Sequence, residues 1–155
     1  MGYYTYYSLQ VGEAVWKNGL PNEGPIEHIS KERVKELEEE INRMNVFEHV
    51  CFEAYQRDKD GNNVLGLAEY GGAWCNAKWY DSEEDMIALS VRFPEFFFTL
   101  SGDGEEQGDI WESWYCNGMT FTDRAEIVFP KYDPKLMAKS VNNMLFSPNY
   151  RYSYE

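Results

Sequence analysis

Acidic side chains are concentrated in one stretch of this chain, between residues 81 and 112. The stretch carries ten carboxylates against one base, Arg92, and therefore holds −9 of the chain's net charge of −13. Its acids are Asp81, Glu83, Glu84, Asp85, Glu95, Asp103, Glu105, Glu106, Asp109 and Glu112. Like charges held this close repel one another and attract a cationic partner. A solvated hairpin loop and a helix start whose dipole favours acids would explain the stretch without any ligand. Otherwise the stretch predicts binding to a basic protein surface, a cationic small molecule or a divalent metal ion.

A metal site is the least supported of these three. Four of the acids fall between residues 103 and 109, beside a glycine-rich loop, and Ca²⁺ or Mg²⁺ needs several oxygens at short range. Their spacing matches no established metal-binding loop. The segment 58–61 is not an EF-hand either, because its glycine at the sixth position would place Leu67 at the twelfth, where that loop needs a glutamate. We predict no metal site and no cofactor.

Catalytic motifs are also missing. A hydrolase with paired carboxylates needs one buried acid with a raised pKa and one that stays ionised, and nothing distinguishes such a pair among 27 acids. His28 and His49 stand near no cysteine or serine in a nucleophile motif, and the chain has no Walker loop or GxGxxG segment. We therefore expect a protein without catalytic residues, in which both histidines are structural.

Composition bounds the remaining classes of function. The 27 acids against 14 lysines and arginines argue against direct binding to nucleic acid or anionic membrane, since both need a basic footprint. Cys51, Cys75 and Cys116 are odd in number and widely separated, which favours reduced thiols over disulfides or structural zinc. No signal-peptide pattern or spanning apolar stretch is present. We expect a cytoplasmic protein.

Aromatic side chains flank the acidic stretch on both sides. A surface of Trp and Tyr bordered by carboxylates suits Arg and Lys through cation–π contact. We expect most of these rings to fill the core, with Trp111, Tyr115 and the Tyr4/Tyr6 face accessible. The predicted partner-binding residues are Glu83, Glu84, Asp85, Asp103, Glu105, Glu106, Asp109, Trp111, Glu112 and Tyr115.

The elements that position these residues begin with a strand over 3–11, in which polar and apolar residues alternate. A loop rich in Gly and Pro follows, and a helix with an apolar stripe is predicted over 31–44, with Ser30 as its N-cap. Residues 48–56 and 64–70 then favour two strands of a hairpin around the turn signal at 58–63, although a helix continued through Tyr55 is an open alternative. Residues 78–80 are expected to continue a strand.

The second half of the chain has clearer signals. Asp81 is the expected cap of a helix that ends at Pro94, a strand follows over 96–100, and 102–108 is expected to be a loop. Asn117-Gly118 predicts a type I′ hairpin turn between strands 109–116 and 119–129. That turn would set Trp114 opposite Phe121 and Cys116 opposite Met119. A last helix carrying Leu136, Met137, Val141, Met144 and Leu145 is expected from Asp133-Pro134, followed by a Tyr-rich tail over 149–155.

The predicted order is β-α-β-β-α-β, then a hairpin and a terminal helix. This order is that of the ferredoxin-like arrangement, an α+β fold with both helices on one face of an antiparallel sheet. We expect a single domain over 1–155, with the core and hairpin in 1–130 and the helix and tail in 131–155. The Tyr-rich first strand, if it lies at a sheet edge, could pair with a second copy in a homodimer.

Two segments resemble a group of small, uncharacterised bacteriophage and mobile-element proteins. The first is the opening Gly2-Tyr3-Tyr4-Thr5-Tyr6. The second covers roughly residues 78–118, with Lys78-Trp79-Tyr80-Asp81-x-x-Glu84-Asp85-Met86, Leu89-Ser90, Phe93-Pro94, Gly102-Asp103-Gly104-Glu105-Glu106-x-Gly108-Asp109-x-Trp111 and Asn117-Gly118. The chain is more weakly similar to the ferredoxin-like domains of YubB-type plasmid and phage proteins. The resemblance implies an origin and a fold and assigns no active-site residue; it does not extend to residues 45–76 or beyond 130.

The resulting functional hypothesis is a non-enzymatic accessory protein that binds a basic surface on a host protein. Its acids would compete for Lys and Arg that normally contact phosphates, as in a DNA mimic that inhibits a host defence factor. The alternative is a domain that binds or sequesters a small molecule or a divalent metal ion, in a pocket between the sheet and the hairpin.

Overall fold

A computed structural model describes residues 2–47, 52–57, 60–67 and 75–139. They form a mixed α and β architecture in which one curled antiparallel sheet is packed against two helices. In chain order the elements are β1 Thr5–Lys17, β2 Leu20–Gly24, α1 Lys31–Arg43, β3 Phe52–Arg57, β4 Asn63–Leu67, β5 Cys75–Ala77, α2 Ser82–Arg92, β6 Phe96–Gly104, β7 Ile110–Cys116 and β8 Met119–Arg124.

Strand β1 is the centre of the sheet. The strand order is β3-β4-β1-β6-β7-β8, and β2 and β5 also pair with β1. One edge of β1 pairs with β6 along residues 5–13, and its other edge pairs in turn with β5, β4 and β2. The Tyr-rich part of β1 thus has partners on both sides. The first strand therefore does not lie at a sheet edge, so pairing through it is excluded; a homodimer as such stays a prediction.

Strand β1 is also longer than expected. The sequence predicts a strand over 3–11 and then a loop, but β1 continues to Lys17 and turns back into β2. Asn18 and Gly19 make this turn with positive φ values of 54° and 75°, which is the backbone of a type I′ hairpin. The predicted loop is wrong because Asn18-Gly19 forms a hairpin turn that pairs the two halves of this segment.

Both helices begin where the sequence predicts. The Ser30 Oγ accepts a hydrogen bond from the Arg33 amide at 3.2 Å, which confirms it as the cap of α1. Asp81 occupies the cap position of α2, but its side chain makes no capping hydrogen bond. The apolar stripes of both helices join one hydrophobic cluster with the same face of β1, β6 and β7. Helices α1 and α2 therefore cover one face of the sheet, and neither of them lies on the other face.

The central hairpin is confirmed in part. Strands β3 and β4 pair antiparallel as predicted, so the alternative of a helix through Tyr55 is wrong. Residues 48–51, 58–59 and 68–74 lie outside the described part of the chain. The strand expected at 78–80 lies at Cys75–Ala77 instead, where it pairs with the first residues of β1.

The β7–β8 hairpin has the predicted register, with Trp114 opposite Phe121 and Cys116 opposite Met119. Two boundaries differ. Strand β6 continues to Gly104, because β1 and β7 supply partners for residues that were expected to be a loop. Strand β8 ends at Arg124 rather than at residue 129.

After β8 the chain is exposed. Residues 134–139 are helical as predicted, and their side chains Leu136 and Met137 are 44% and 55% exposed. The remainder of that predicted helix, with Val141, Met144 and Leu145, and the tail over 149–155 lie outside the described residues. None of the helices in the described ranges is long and apolar enough to cross a lipid bilayer.

Candidate functional site

The sheet divides the predicted partner-binding carboxylates into three groups. Residues directly opposite each other in an antiparallel pair lie on the same face, so the observed pairing assigns each strand residue to a face. Glu83, Glu84 and Asp85 begin α2 on the helix-covered side. Residues 105, 106 and 109 lie in the turn between β6 and β7, at the rim of the sheet, whereas 103 and 112 point to the helix-free face. The predicted set is therefore not one continuous surface.

The rim carboxylates hold the start of the chain in place. The Tyr3 hydroxyl donates to Asp109 Oδ2 at 2.7 Å and accepts from the Glu106 amide at 2.8 Å. Glu105 Oε1 accepts from the Tyr4 amide at 2.9 Å. The Glu106 amide lowers the pKa of the Tyr3 phenol, but desolvation and the Asp109 carboxylate outweigh it, so this pKa is raised overall. Asp109 and Glu105 thus have structural partners that the sequence did not predict.

Asp109 has a second partner. Its Oδ1 accepts from the Arg124 guanidinium at 3.0 Å, which joins the rim to the end of β8. Asp85, at the start of α2, is also engaged: its Oδ2 accepts from Trp79 Nε1 at 2.7 Å. That hydrogen bond satisfies the indole N–H of a core tryptophan that packs edge-on against Tyr7, with ring centroids 5.2 Å apart.

The predicted aromatic anchors lie on the helix-covered face. Tyr115 is 2% exposed, opposite Phe98 in the core, so its prediction as an accessible anchor is wrong. Its register position points it toward α2, and burial raises the pKa of its phenol. Trp111 is half-buried on the same face, and its indole covers Gly102, where an added Cβ would come within 2.3 Å of the ring. Tyr4 and Tyr6 are 40% and 53% exposed, as expected.

We call the helix-free side of β1, β6, β7 and β8 the open face. Cross-strand pairing places on it Tyr6, Ser8, Gln10, Gly12, Phe97, Thr99, Ser101, Asp103, Ile110, Glu112, Trp114, Cys116, Met119, Phe121 and Asp123. This set contains three acids, four large exposed apolar side chains and no lysine or arginine. The open face therefore combines negative charge with apolar contact area.

Two carboxylates on the open face oppose each other directly. Glu112 of β7 and Asp123 of β8 are cross-strand partners, and like charges at directly opposed positions destabilise a sheet. No ion pair among the described residues includes either of them. The Ser101 hydroxyl donates to Glu112 at 3.4 Å, which is a long contact. These contacts give no sign that the pair stabilises the fold. We therefore take Glu112 and Asp123 as the centre of the candidate site.

Apolar side chains flank the opposed acids. Trp114 and Phe121 stack with ring centroids 5.7 Å apart and planes 12° apart, and Phe121 is 64% exposed. A groove of about 320 Å³ runs along this surface; it is lined by Glu112, Trp114 and Asp123 among others, and also by Arg124. Thr99, between Gln10 and Trp114, has a buried hydroxyl with no hydrogen-bond partner in the described part of the chain. Such a group costs about 1–3 kcal/mol unless something satisfies it.

Asp123 was missing from the predicted site, although the sequence contained the signal for it. The Asn117-Gly118 turn that sets Trp114 opposite Phe121 also sets Glu112 opposite Asp123, two residues further along each strand. Asp123 lies outside the acid-rich stretch 81–112, so charge density along the sequence does not indicate it. The β7–β8 register predicted from this turn is sufficient to identify Glu112 and Asp123 as an opposed pair.

A second concavity lies on the helix-covered side. It has a volume of about 400 Å³ and is lined by Ser82 and Glu83 of α2 and by side chains of the β7–β8 hairpin, including Thr122 and Arg124. This pocket lies between α2 and the hairpin, which is itself part of the sheet, and not between sheet and hairpin as the small-molecule hypothesis predicts. Within the described ranges, no group of three His, Cys, Asp or Glu side chains is arranged to hold a metal ion.

His28 and Cys116 have structural environments. His28 Nδ1 contacts Glu13 Oε2 at 2.8 Å, and the His28 amide donates to Glu13 Oε1 at 2.7 Å. This contact raises the pKa of His28; for Glu13, desolvation raises the pKa, but the hydrogen bonds from His28 outweigh it and the pKa is lowered overall. Burial raises the pKa of the Cys116 thiol to about 11, so it is protonated and unreactive near neutrality.

Comparison of the chain with protein-family models, curated protein sequences and solved structures found no match. The resemblance to bacteriophage and mobile-element proteins stays a prediction.

Proposed function

We propose that this chain is a non-enzymatic accessory protein of a bacteriophage or mobile element that binds a basic surface of a host protein. The open face is the binding surface, and the host cytoplasm is the compartment. The partner is a protein whose Lys and Arg side chains normally contact phosphate, so binding would inhibit it by competition, as a DNA mimic in a defence context does. The proposal of a DNA mimic is supported by the net charge alone. The proposal of a basic partner is supported by the side chains of the open face.

The directly opposed pair Glu112 and Asp123 carries this proposal. Two carboxylates on neighbouring strands repel each other across about 5 Å, and this cost persists in the free protein. An arginine or lysine between them would convert the repulsion into two attractive contacts. Asp103 stands diagonally across β6 and β7 from Glu112, at about 7–8 Å by sheet geometry, and extends the acidic row.

The apolar side chains of the open face supply binding affinity that charge alone does not. Exposed ion pairs contribute little affinity, whereas aromatic anchors at the centre of an interface contribute much more. Tyr6 and Phe121 are 53% and 64% exposed on the open face and are available to stack on guanidinium groups. The α2 acids Glu83 and Glu84 and the rim acid Glu106 lie outside the contact surface and add to the negative field that steers a basic partner.

Pull-down from host lysate at rising salt tests this function. The double variant Glu112→Gln/Asp123→Asn removes the opposed charges and keeps the side-chain sizes. Its matched control, Glu32→Gln/Glu39→Gln, removes the same charge from exposed positions of α1. We expect the wild type and the control to capture the same basic protein and the open-face variant to lose it. Equal capture by all three proteins would refute the open face as the site.

At the level of the fold, we propose that β1, α1, β3, β4, α2 and β6 are a ferredoxin-like core. The sheet order β3-β4-β1-β6 supports this, because the first strand of such a core lies between the third and the fourth. Strands β2 and β5 would then be additions along β1, and the β7–β8 hairpin would extend the sheet beyond β6. A solved structure of a related chain that lacks β2 and β5 would test this assignment.

The pocket on the helix-covered side supports a second candidate function, binding of a small cationic molecule. Glu83 lines this cleft beside the hydroxyl pair Ser113 and Thr122, whose oxygens are 2.6 Å apart. A thermal-shift screen against polyamines, nucleotides and divalent metals separates the candidates, because a ligand that binds the native state raises its apparent stability. Stabilisation that is lost in Glu83→Gln and kept in Glu112→Gln/Asp123→Asn would favour this second function.

A further inference from the structure

Strand β8 is a sheet edge that the described residues leave unpaired. One side of β8 pairs with β7, and its other side pairs with no strand in the described ranges. All six of its side chains are exposed. An unpaired edge presents a row of free N–H and C=O groups and is a template for another strand.

The residues after β8 have the composition of a strand without a partner. Ile127, Val128 and Phe129 are 58%, 73% and 85% exposed, and they are β-branched or aromatic. The sequence predicts that β8 continues to residue 129, but pairing stops because β7 begins at Ile110, whose carbonyl accepts the last bond, from the Ala125 amide. The strand-forming sequence thus extends beyond the partner strand that the described residues supply.

We propose that the chain forms a two-fold symmetric dimer in which residues 121–129 pair antiparallel with the same residues of a second copy, centred on Ala125. In this register Arg124 faces Glu126 of the second copy, and Phe121 faces its Phe129. Opposite charges and aromatic pairs at opposed positions both stabilise an antiparallel sheet. An interface of this kind is isologous, so each favourable pair occurs twice.

Repulsion between like charges favours this register over the two registers whose two-fold axis passes through Asp123 or Arg124. A two-fold axis through Asp123 would oppose that carboxylate to its own copy, and an axis through Arg124 would oppose two guanidinium groups. An axis through Ala125 opposes only two methyl groups. Arg124 is 68% exposed and uses one Nη atom for Asp109, so its remaining donors are open to Glu126 of the second copy.

The backbone N–H and C=O groups also point in the directions that this pairing requires. Because the Ala125 amide points toward β7, the N–H and C=O groups of residues 122, 124, 126 and 128 point away from it. In the proposed register these residues pair with one another, which gives about eight hydrogen bonds between the copies. Pro130 has no N–H and ends the pairing. The dimer would place two open faces side by side on one continuous sheet, and it stands whether or not the open face binds a basic protein.

Charge reversal with mixing tests the dimer. Analytical ultracentrifugation should show a reversible dimer for the wild type, and Glu126→Arg or Arg124→Glu alone should weaken it by about tenfold or more, because each creates two like-charge contacts. An equimolar mixture of the two variants should form a heterodimer, since both contacts between the copies then become attractive. Glu39→Arg, the same charge change on α1, should dimerise as the wild type does.

Cross-linking tests the register. Cysteine at 125 would face its own copy across about 4.5 Å between Cα atoms, within the range of a disulfide. Mild oxidation of Ala125→Cys should therefore give a covalent dimer, whereas Thr122→Cys, which faces Val128 of the second copy, should not exceed the wild-type background. A wild type that is monomeric at about 200 μM, a mixture that stays monomeric, or equal cross-linking at both positions would overturn the proposal.

Discussion

Gly102 is packed so closely against the Trp111 ring that it leaves no room for a side chain. Trp111 lies over Gly102 on the helix-covered face, and an added Cβ would come within 2.3 Å of the indole. Gly102→Ala should therefore lower the free energy of unfolding by about 1–3 kcal/mol, as overpacking does. Urea unfolding measures this loss. In a Trp111→Leu background the same substitution should cost much less, and an equal cost in both backgrounds would contradict the contact.

The contact between Glu13 and His28 should make stability depend on pH. The pKa of Glu13 is lowered from its ordinary 4.5, so its contribution is present above about pH 4.5 and is lost as the pH falls through the lowered value. The pKa of His28 is raised from 6.5, so its contribution is present below about pH 6.5 and is lost as the pH rises through the raised value.

The stability difference between wild type and His28→Asn should therefore be largest at about pH 5–6 and should shrink by pH 8.5. Urea unfolding of both proteins at these pH values measures it. The variant keeps the Glu13 contact with the backbone amide of residue 28, so only the titrating side chain is removed. A difference that does not change with pH would show that the imidazole carries no charge in the folded protein.

At the scale of elements, the opposed carboxylates of β7 and β8 should cost the free protein stability. Asp123→Asn removes one charge of the pair and should raise the free energy of unfolding by about 0.2–1 kcal/mol at low salt, with a smaller gain at high salt. Thermal or urea unfolding measures this gain. The same change in a Glu112→Gln background should bring no gain; a gain of equal size there would show that the two charges do not interact.

Among the elements, the features set by local sequence signals could be predicted better than the features set by pairing with distant strands. The Asn117-Gly118 turn was recognised and gave the correct β7–β8 register, whereas the equivalent Asn18-Gly19 turn was missed, and with it the long form of β1. The extension of β6 through Gly104 could not be predicted locally, because it depends on partners from β1 and β7. Tyr115 was misplaced for the same reason: its burial follows from which face of β7 meets α2.

For the whole molecule, net charge alone is a poor guide to the site. The −13 net charge indicates a cationic partner, but the acids that form the densest run in sequence are split among a helix start, a structural rim and the open face. What distinguishes the open face is the combination of opposed acids, exposed rings and no base among its residues. The central claim is that this face, and not the α2 acids or the rim, meets the partner.

The most direct measurement is a titration of the isotope-labelled protein with an arginine-rich peptide, followed residue by residue by NMR. We expect the largest shifts at Tyr6, Asp103, Glu112, Phe121 and Asp123, with saturation that weakens as salt is raised. Glu112→Gln/Asp123→Asn should abolish these shifts. Saturating shifts confined to Glu83 and Glu84 of α2 or to the rim residues 105–109, with the open face unchanged, would contradict the account.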